Sequence, residues 1–182
     1  MPSTIMKTLH LLALLTVLPL LSLHAADPAA ASKAPARVAF AQYCFWTGEM
    51  ELGQIEGVLR TEAGFIGGRE VTLVDYDPAR LSLVQLATAA KRARVADLVH
   101  LPAGTSASGP ALAGVTIGSP LGRNYRAAPA SDQKKQLEGT PYARLKLTPE
   151  EATKVNAFVR VDPARARASL GTASRAQLTA AQ

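Results

Sequence analysis

Val38-Ala39-Phe40-Ala41-Gln42-Tyr43-Cys44-Phe45-Trp46 is the stretch on which the fold turns. Its first four residues form a short apolar run bounded by a proline-rich segment, which fits a buried strand. Beyond the cysteine, Thr47 is a candidate N-cap, and Met50, Leu52 and Ile55 supply a short apolar face that Gly57 stops. The segment therefore reads as strand, tight turn and helix, with the cysteine at the turn.

Working outward, Val58 to Phe65 reads as extended and closes at Gly67-Gly68. Glu70 to Tyr76 alternates, with Val71 and Leu73 apolar, Thr72 and Asp75 polar, and Val74 as the one irregularity. That pattern predicts a hairpin across the glycine pair, ended by Asp77-Pro78. Within Leu81 to Leu98, the apolar residues Leu83, Leu86, Ala90 and Ala93 recur at helical spacing, with Lys91, Arg92 and Arg94 near the end. Short strand candidates lie in Val95 to Leu101, at Val115-Thr116-Ile117, at Tyr125 to Ala128 and at Arg144 to Leu147. Residues 102–110 read as a loop. Ser131 to Leu137 reads as a helical turn capped by Ser131. Thr148-Pro149-Glu150-Glu151 is a helix start with a capping threonine, proline at the first helical position and Glu151 three residues after the cap. That helix continues through Val155 and Phe158, and the Ala- and Arg-rich chain beyond Asp162 reads as helical or frayed. The order β-α-β-β-α predicts an α+β fold, a small mixed, mostly antiparallel sheet with packed helices.

Toward the N-terminus the pattern changes character. Lys7 and the free amino group precede an apolar run from Leu9 to Leu23, and Leu23-His24-Ala25 ends in a small residue. Residues 1–25 thus read as a secretory signal peptide, which predicts a periplasmic or secreted protein. The run is shorter than the ~20 apolar residues that span a bilayer, so no stable membrane anchor is expected. Residues 26–37 read as a solvated arm, residues 38–160 as the α+β domain and residues 161–182 as an Ala/Arg-rich tail.

The 182 residues carry a formal net charge of +6 with their arginines scattered. Aromatics are few and no basic block is interleaved with them, which argues against nucleic-acid binding. One cysteine forms no internal disulfide; it is buried and inert, paired between chains, or a reactive thiol. His10 and His24 fall in the candidate signal segment, leaving His100 without partners at ligand spacing, so no metal site is expected.

Cys44-Phe45-Trp46-Thr47-Gly48-Glu49 resembles the Gly-Cys-Phe-Trp-x-x-Glu signature of the A-type peptide methionine sulfoxide reductases. Ile55-Glu56-Gly57-Val58 is similar to that family's Pro-Gly-Val turn, and Ala63-Gly64-Phe65-Ile66-Gly67-Gly68 to its Gly-Tyr-x-Gly-Gly segment. Glu70 followed by Tyr76-Asp77-Pro78 resembles its His-x-Glu…Tyr-Asp-Pro strand, and Leu81-Ser82-Leu83 its Ile-Ser-Tyr helix start. The resemblance covers Val38 to about Leu86, with an echo of Gly-x-Gln-Tyr-Arg at Gly122-Arg123-Asn124-Tyr125-Arg126. The sequence also departs from the family. Tyr43 stands in place of the glycine before the cysteine, and Arg69 alone separates Gly68 from Glu70 where the family carries a long insert. Ser119-Pro120-Leu121 replaces an expected aspartate, and no resolving cysteine exists.

What the resemblance implies is a ferredoxin-like core of the reductase type and thiol-dependent reduction of methionine sulfoxide in exported peptides or proteins. Cys44 matches the nucleophile and Glu70 the acid that protonates the oxygen. Phe45 and Trp46 match the rings that hold the substrate's methyl group, and Tyr125 a tyrosine that hydrogen-bonds the sulfoxide oxygen. Glu49 matches a motif carboxylate read as structural. No cofactor is implied beyond an external thiol reductant such as a thioredoxin-like protein, needed to return a Cys44 sulfenic acid to the thiol. A second reading is a non-catalytic exported module that binds oxidised peptides or senses oxidants through Cys44, and a third is a structural envelope protein with an inert cysteine.

Overall fold

The computed structural model describes residues 34–105 and 111–180. The signal-peptide reading, most of the arm and part of the loop after Pro102 lie outside the described residues.

Strand β1 (Ala36–Ala41) runs straight into helix α1 (Phe45–Gln54), followed by β2 (Val58–Ile66), β3 (Arg69–Tyr76), α2 (Leu83–Arg92) and β4 (Leu98–His100). β3 pairs antiparallel with both β1 and β2, and β1 pairs antiparallel with β4, so the central order is β4-β1-β3-β2. Each helix thus crosses over a strand that lies between the two it connects, the ferredoxin-like arrangement. β5 (Ala111–Leu112) and β6 (Val115–Ile117) extend the sheet beyond β4, with β6 parallel to β4, and β7 (Tyr125–Ala127) pairs with β2 at the other end. The sheet is therefore α+β in class and mostly antiparallel, as the sequence predicts.

The β2–β3 hairpin turns on Gly67 (φ +60) and Gly68 (φ +80), between the pair Ile66 and Arg69. Two consecutive positive φ angles suit a two-residue turn that matches strand twist, and glycine adopts them without steric cost. Because successive side chains alternate across a sheet, Val38, Phe40, Thr72 and Val74 face α1 and α2. There they pack with Leu52, Leu86, Ala87 and Ala90 in the main core. Ala39, Ala41, Ile66, Val71 and Leu73 face the opposite side, against Leu121. β3 is buried on both faces between Val71 and Val74, which explains the irregular Val74: it belongs to the helix-bearing side with Thr72.

Helix α2 starts at a full capping box between Ser82 and Gln85, and Arg94, at φ 61, turns the chain away after its end. The Thr148–Glu151 capping box begins α3 (Pro149–Phe158) as the sequence predicts. The chain beyond Asp162 forms α4 (Pro163–Ala168) and α5 (Thr172–Ala180). Ala166, Leu170 and Leu178 from this part pack with Val155 and Phe158.

Three local expectations are corrected. α1 begins at Phe45, with Cys44 as N-cap, so Thr47 lies inside the first turn rather than capping it. Ser131 sits within a 3-10 turn (Ala130–Asp132) instead of capping a longer one, because Lys134, at φ 50, breaks the run before a second turn (Lys135–Leu137). Residues 144–147 are not a strand: a 3-10 turn (Pro141–Arg144) leads into them, and the Lys146 N–H donates to the Gln177 side chain at 3.1 Å. Leu145 and Leu147 do pack inward, against the α3–α5 cluster, so the alternation reflects burial without a sheet neighbour.

Candidate active site

Cys44 enters α1 in an extended conformation (φ −139, ψ 114) and makes no side-chain capping bond. The first-turn N–H groups of a helix lack intrahelical acceptors and favour negative charge. Here one of them is taken from outside the helix: the Phe45 N–H donates to Glu70 Oε2 at 2.8 Å. Glu70 reaches it because it lies on β3 at the hairpin end, facing α1. Its other carboxylate oxygen makes no protein hydrogen bond among the described residues.

Gly48 allows this approach. A Cβ on it would stand 2.2 Å from Thr72 Oγ1 and 2.4 Å from Gln42 Nε2, so only a bare backbone lets α1 lie this close to β3. The Gln42 amide and the Thr72 hydroxyl hydrogen-bond beneath it at 2.7 Å. The backbone of Gln42 is also held, its N–H donating to the Glu70 carbonyl at 3.3 Å.

The walls are aromatic. Phe45 is buried and stands 5.5 Å from Phe65 in an edge contact and 5.9 Å from Trp46 at a tilt of 49°. The Trp46 indole N–H donates to the Asp132 carbonyl at 3.1 Å, which fixes the ring's polar edge. Cys44, Phe45, Trp46, Phe65, Glu70 and Asp132 together line a cavity of about 290 Å³. Beside it Tyr43 is 96% exposed.

Glu49 anchors the wall that Asp132 supplies. It is fully buried, accepts the Lys134 N–H at 2.7 Å and pairs with the Lys134 ammonium. That ammonium also donates to the Thr61 carbonyl at 2.6 Å, so one ion pair ties α1, β2 and residues 132–134 together. Gln133 continues the link: its amide exchanges two hydrogen bonds with the backbone of Ala63, both at 2.9 Å, extending the ladder by a side chain.

Of the residues singled out from the sequence, Cys44, Phe45, Trp46 and Glu70 come together. Tyr125 does not join them. It pairs with Ile66, whose side chain faces the opposite side of the sheet, and its ring lies over Gly64 there. Its hydroxyl donates to Glu62 Oε1 at 2.8 Å, and burial, helped by that carboxylate, pushes it well above the ordinary tyrosine range. Two cleft residues escaped the sequence reading. Phe65 falls in a quoted segment, and the β2 alternation with Ala63 marks its face; nothing in the sequence connects Asp132 to a cysteine so distant in the chain.

Neither protein-family models nor curated proteins include a match to this chain. Among the described residues no group of three or more His, Cys, Asp or Glu side chains gathers around a point where a metal ion would sit, and no helix is long and apolar enough to cross a membrane. What the cleft can do rests on its own chemistry: a half-buried thiol at a helix start, a carboxyl with one oxygen bound and one available, and three rings suited to an apolar group.

Proposed function

We propose that this chain reduces methionine sulfoxide in exported peptides or proteins, with Cys44 as nucleophile, Glu70 as proton donor and an external thiol as reductant. The observation that carries the reading is the convergence of Cys44, Glu70, Phe45 and Trp46 on one cavity, with Glu70 tethered by the Phe45 N–H. Methionine sulfoxide has an apolar methyl group beside a polar S–O bond, and the rings and the carboxyl suit those two ends.

The Cys44 sulfur attacks the sulfoxide sulfur while Glu70 protonates the sulfoxide oxygen. Oε2 keeps the Phe45 N–H throughout, so the proton travels on Oε1. Collapse of the adduct releases the thioether and leaves the hydroxyl on Cys44 as a sulfenic acid; the thiol proton of Cys44 restores the one Glu70 gave up. The methionine sulfur gains two electrons and the cysteine sulfur loses two. One external thiol then displaces water to form a mixed disulfide, and a second releases the oxidised thiol pair and regenerates Cys44. Tyr125 has no part in these steps.

Tyr125's position on the far face favours a second reading, in which the cleft binds oxidised methionine or senses oxidants without turnover. One assay separates the two: purified protein with dithiothreitol and a peptide sulfoxide yields free thioether, and Cys44→Ser does not. Turnover that survives Cys44→Ser ends the reductase reading, whereas binding without turnover in the unaltered protein selects the second.

A further inference from the structure

The cleft continues sideways across the sheet in an ordered row. Glu70 on β3 is the cross-strand partner of Phe65 on β2, and Phe65 is the partner of Arg126 on β7. Partners share a face, so all three side chains stand on the side that carries α1. The Arg126 guanidinium lies 4.8 Å from the Phe65 ring centroid. Arg126 is exposed and, among the described residues, makes no ion pair or side-chain hydrogen bond. Strands lie ~4.8 Å apart, which puts Arg126 two spacings, about 10 Å, from Glu70.

The remaining charges around the cleft are differently placed. Lys135 lies 5.2 Å from the Trp46 ring centroid, on the opposite wall, and is paired with Glu138 at 2.5 Å. Asp132 belongs to that same wall, and Glu70 is tethered to Phe45. The cleft therefore has an unpaired cation on its Phe65 side, whereas the cation on its Trp46 side is already paired. A residue rises by ~3.3 Å along an extended peptide, so a side chain one or two residues from the reacting methionine reaches the guanidinium.

We propose that Arg126 determines specificity: the cleft selects methionine sulfoxide with an acidic side chain one or two residues away in an extended peptide. The inference rests on the cleft being a methionine sulfoxide site.

The test uses pentapeptides with methionine sulfoxide at the centre and Asp, Gly or Lys at the flanking positions, on each side in turn. Turnover with dithiothreitol is measured in the unaltered protein. Binding is measured in Cys44→Ser through the fluorescence of Trp46, the chain's only tryptophan. The Asp peptide is expected to exceed the Gly peptide by about fivefold in kcat/KM and in affinity, and the Lys peptide to fall below it, as one exposed charge pair allows. Arg126→Gln removes the preference and Arg126→Glu inverts it, and raising the salt concentration weakens it. Equal turnover on all peptides, or a preference that survives Arg126→Gln, overturns this inference and leaves the reductase reading intact. Acid-selective binding with no turnover upholds the selectivity and overturns the reductase reading. Neither binding nor turnover with any peptide overturns both.

Discussion

The two ends of α1 are built from the same principle with opposite outcomes. At its N-terminus the Phe45 N–H, which has no intrahelical acceptor, donates to the Glu70 carboxyl; at its C-terminus the Gly53 and Ile55 carbonyls accept from the Lys154 ammonium at 2.8 and 3.0 Å. Each partner suits its end of the helix, an oxygen acceptor at the N-terminus and a cation at the C-terminus. The C-terminal end opens on the larger cavity, about 610 Å³, which Glu56, Arg80, Glu151 and Lys154 help to line. Yet several of the polar groups there are engaged in holding the chain: Arg80 pairs with Glu56 at 2.6 Å, and Glu151 accepts the Thr148 and Gly171 N–H groups, both at 2.7 Å. The smaller cavity has a thiol and one uncommitted carboxylate oxygen. Size alone therefore favours the C-terminal end, and a thiol beside an uncommitted carboxyl oxygen favours the N-terminal one.

The sharpest way to break this contrast is at Glu70. Glu70→Gln keeps an acceptor for the Phe45 N–H but loses the transferable proton, so sulfoxide turnover should fall about 10²- to 10⁴-fold with little change in the denaturation midpoint. An unaltered rate would reduce Glu70 to a helix cap. Glu49→Ala comes next. It strands the Lys134 charge and should cost ~3–5 kcal/mol in urea unfolding, with the Trp46 emission shifting as the Asp132 wall loosens. Gly48→Ala drives a methyl into Thr72 and Gln42 and should cost about 1–3 kcal/mol, with turnover falling as Glu70 and Cys44 move apart. If both stability and rate hold, the close approach of α1 to β3 is incidental.

The smallest effect belongs to the other end. Lys154→Met should cost about 1 kcal/mol and leave turnover unchanged. Burial lowers the Lys154 ammonium from its ordinary 10.5 to about 8. Between those values the unfolded chain keeps a proton that the folded chain has lost, so this residue makes stability rise as pH increases from about 8 to 10.5. The gap in melting temperature between the parent and Lys154→Met should therefore widen in favour of the parent over that range. A constant gap would show that the amine titrates as it does in water.

Much of the fold was legible because its signals are local. The glycine pair sets the β2–β3 hairpin, and Thr148 with Glu151 starts α3 within one turn of sequence. The site was half legible for the same reason: Cys44, Phe45 and Trp46 are contiguous, and Glu70 shows its face by alternation. What stayed hidden depends on distant chain. The start of α1 is hidden because its first N–H finds its acceptor in Glu70 across the sheet, while Thr47 offers a plausible local cap. Tyr125 was misplaced because a motif match carries no information about register, and pairing with Ile66 sends its side chain to the far face. Residues 144–147 have a strand's alternation but meet a glutamine amide where a strand would lie.

The turn at Gly67 and Gly68 carries a burden beyond joining two strands. A slip of one residue in the β2–β3 pairing reverses every side chain of β3. Glu70 would then stand with Glu62 on the other surface, away from Cys44. Two left-handed glycines therefore act as the molecule's phase setting, and lengthening that loop by a single residue is the smallest edit that would part Glu70 from Cys44 while keeping both side chains.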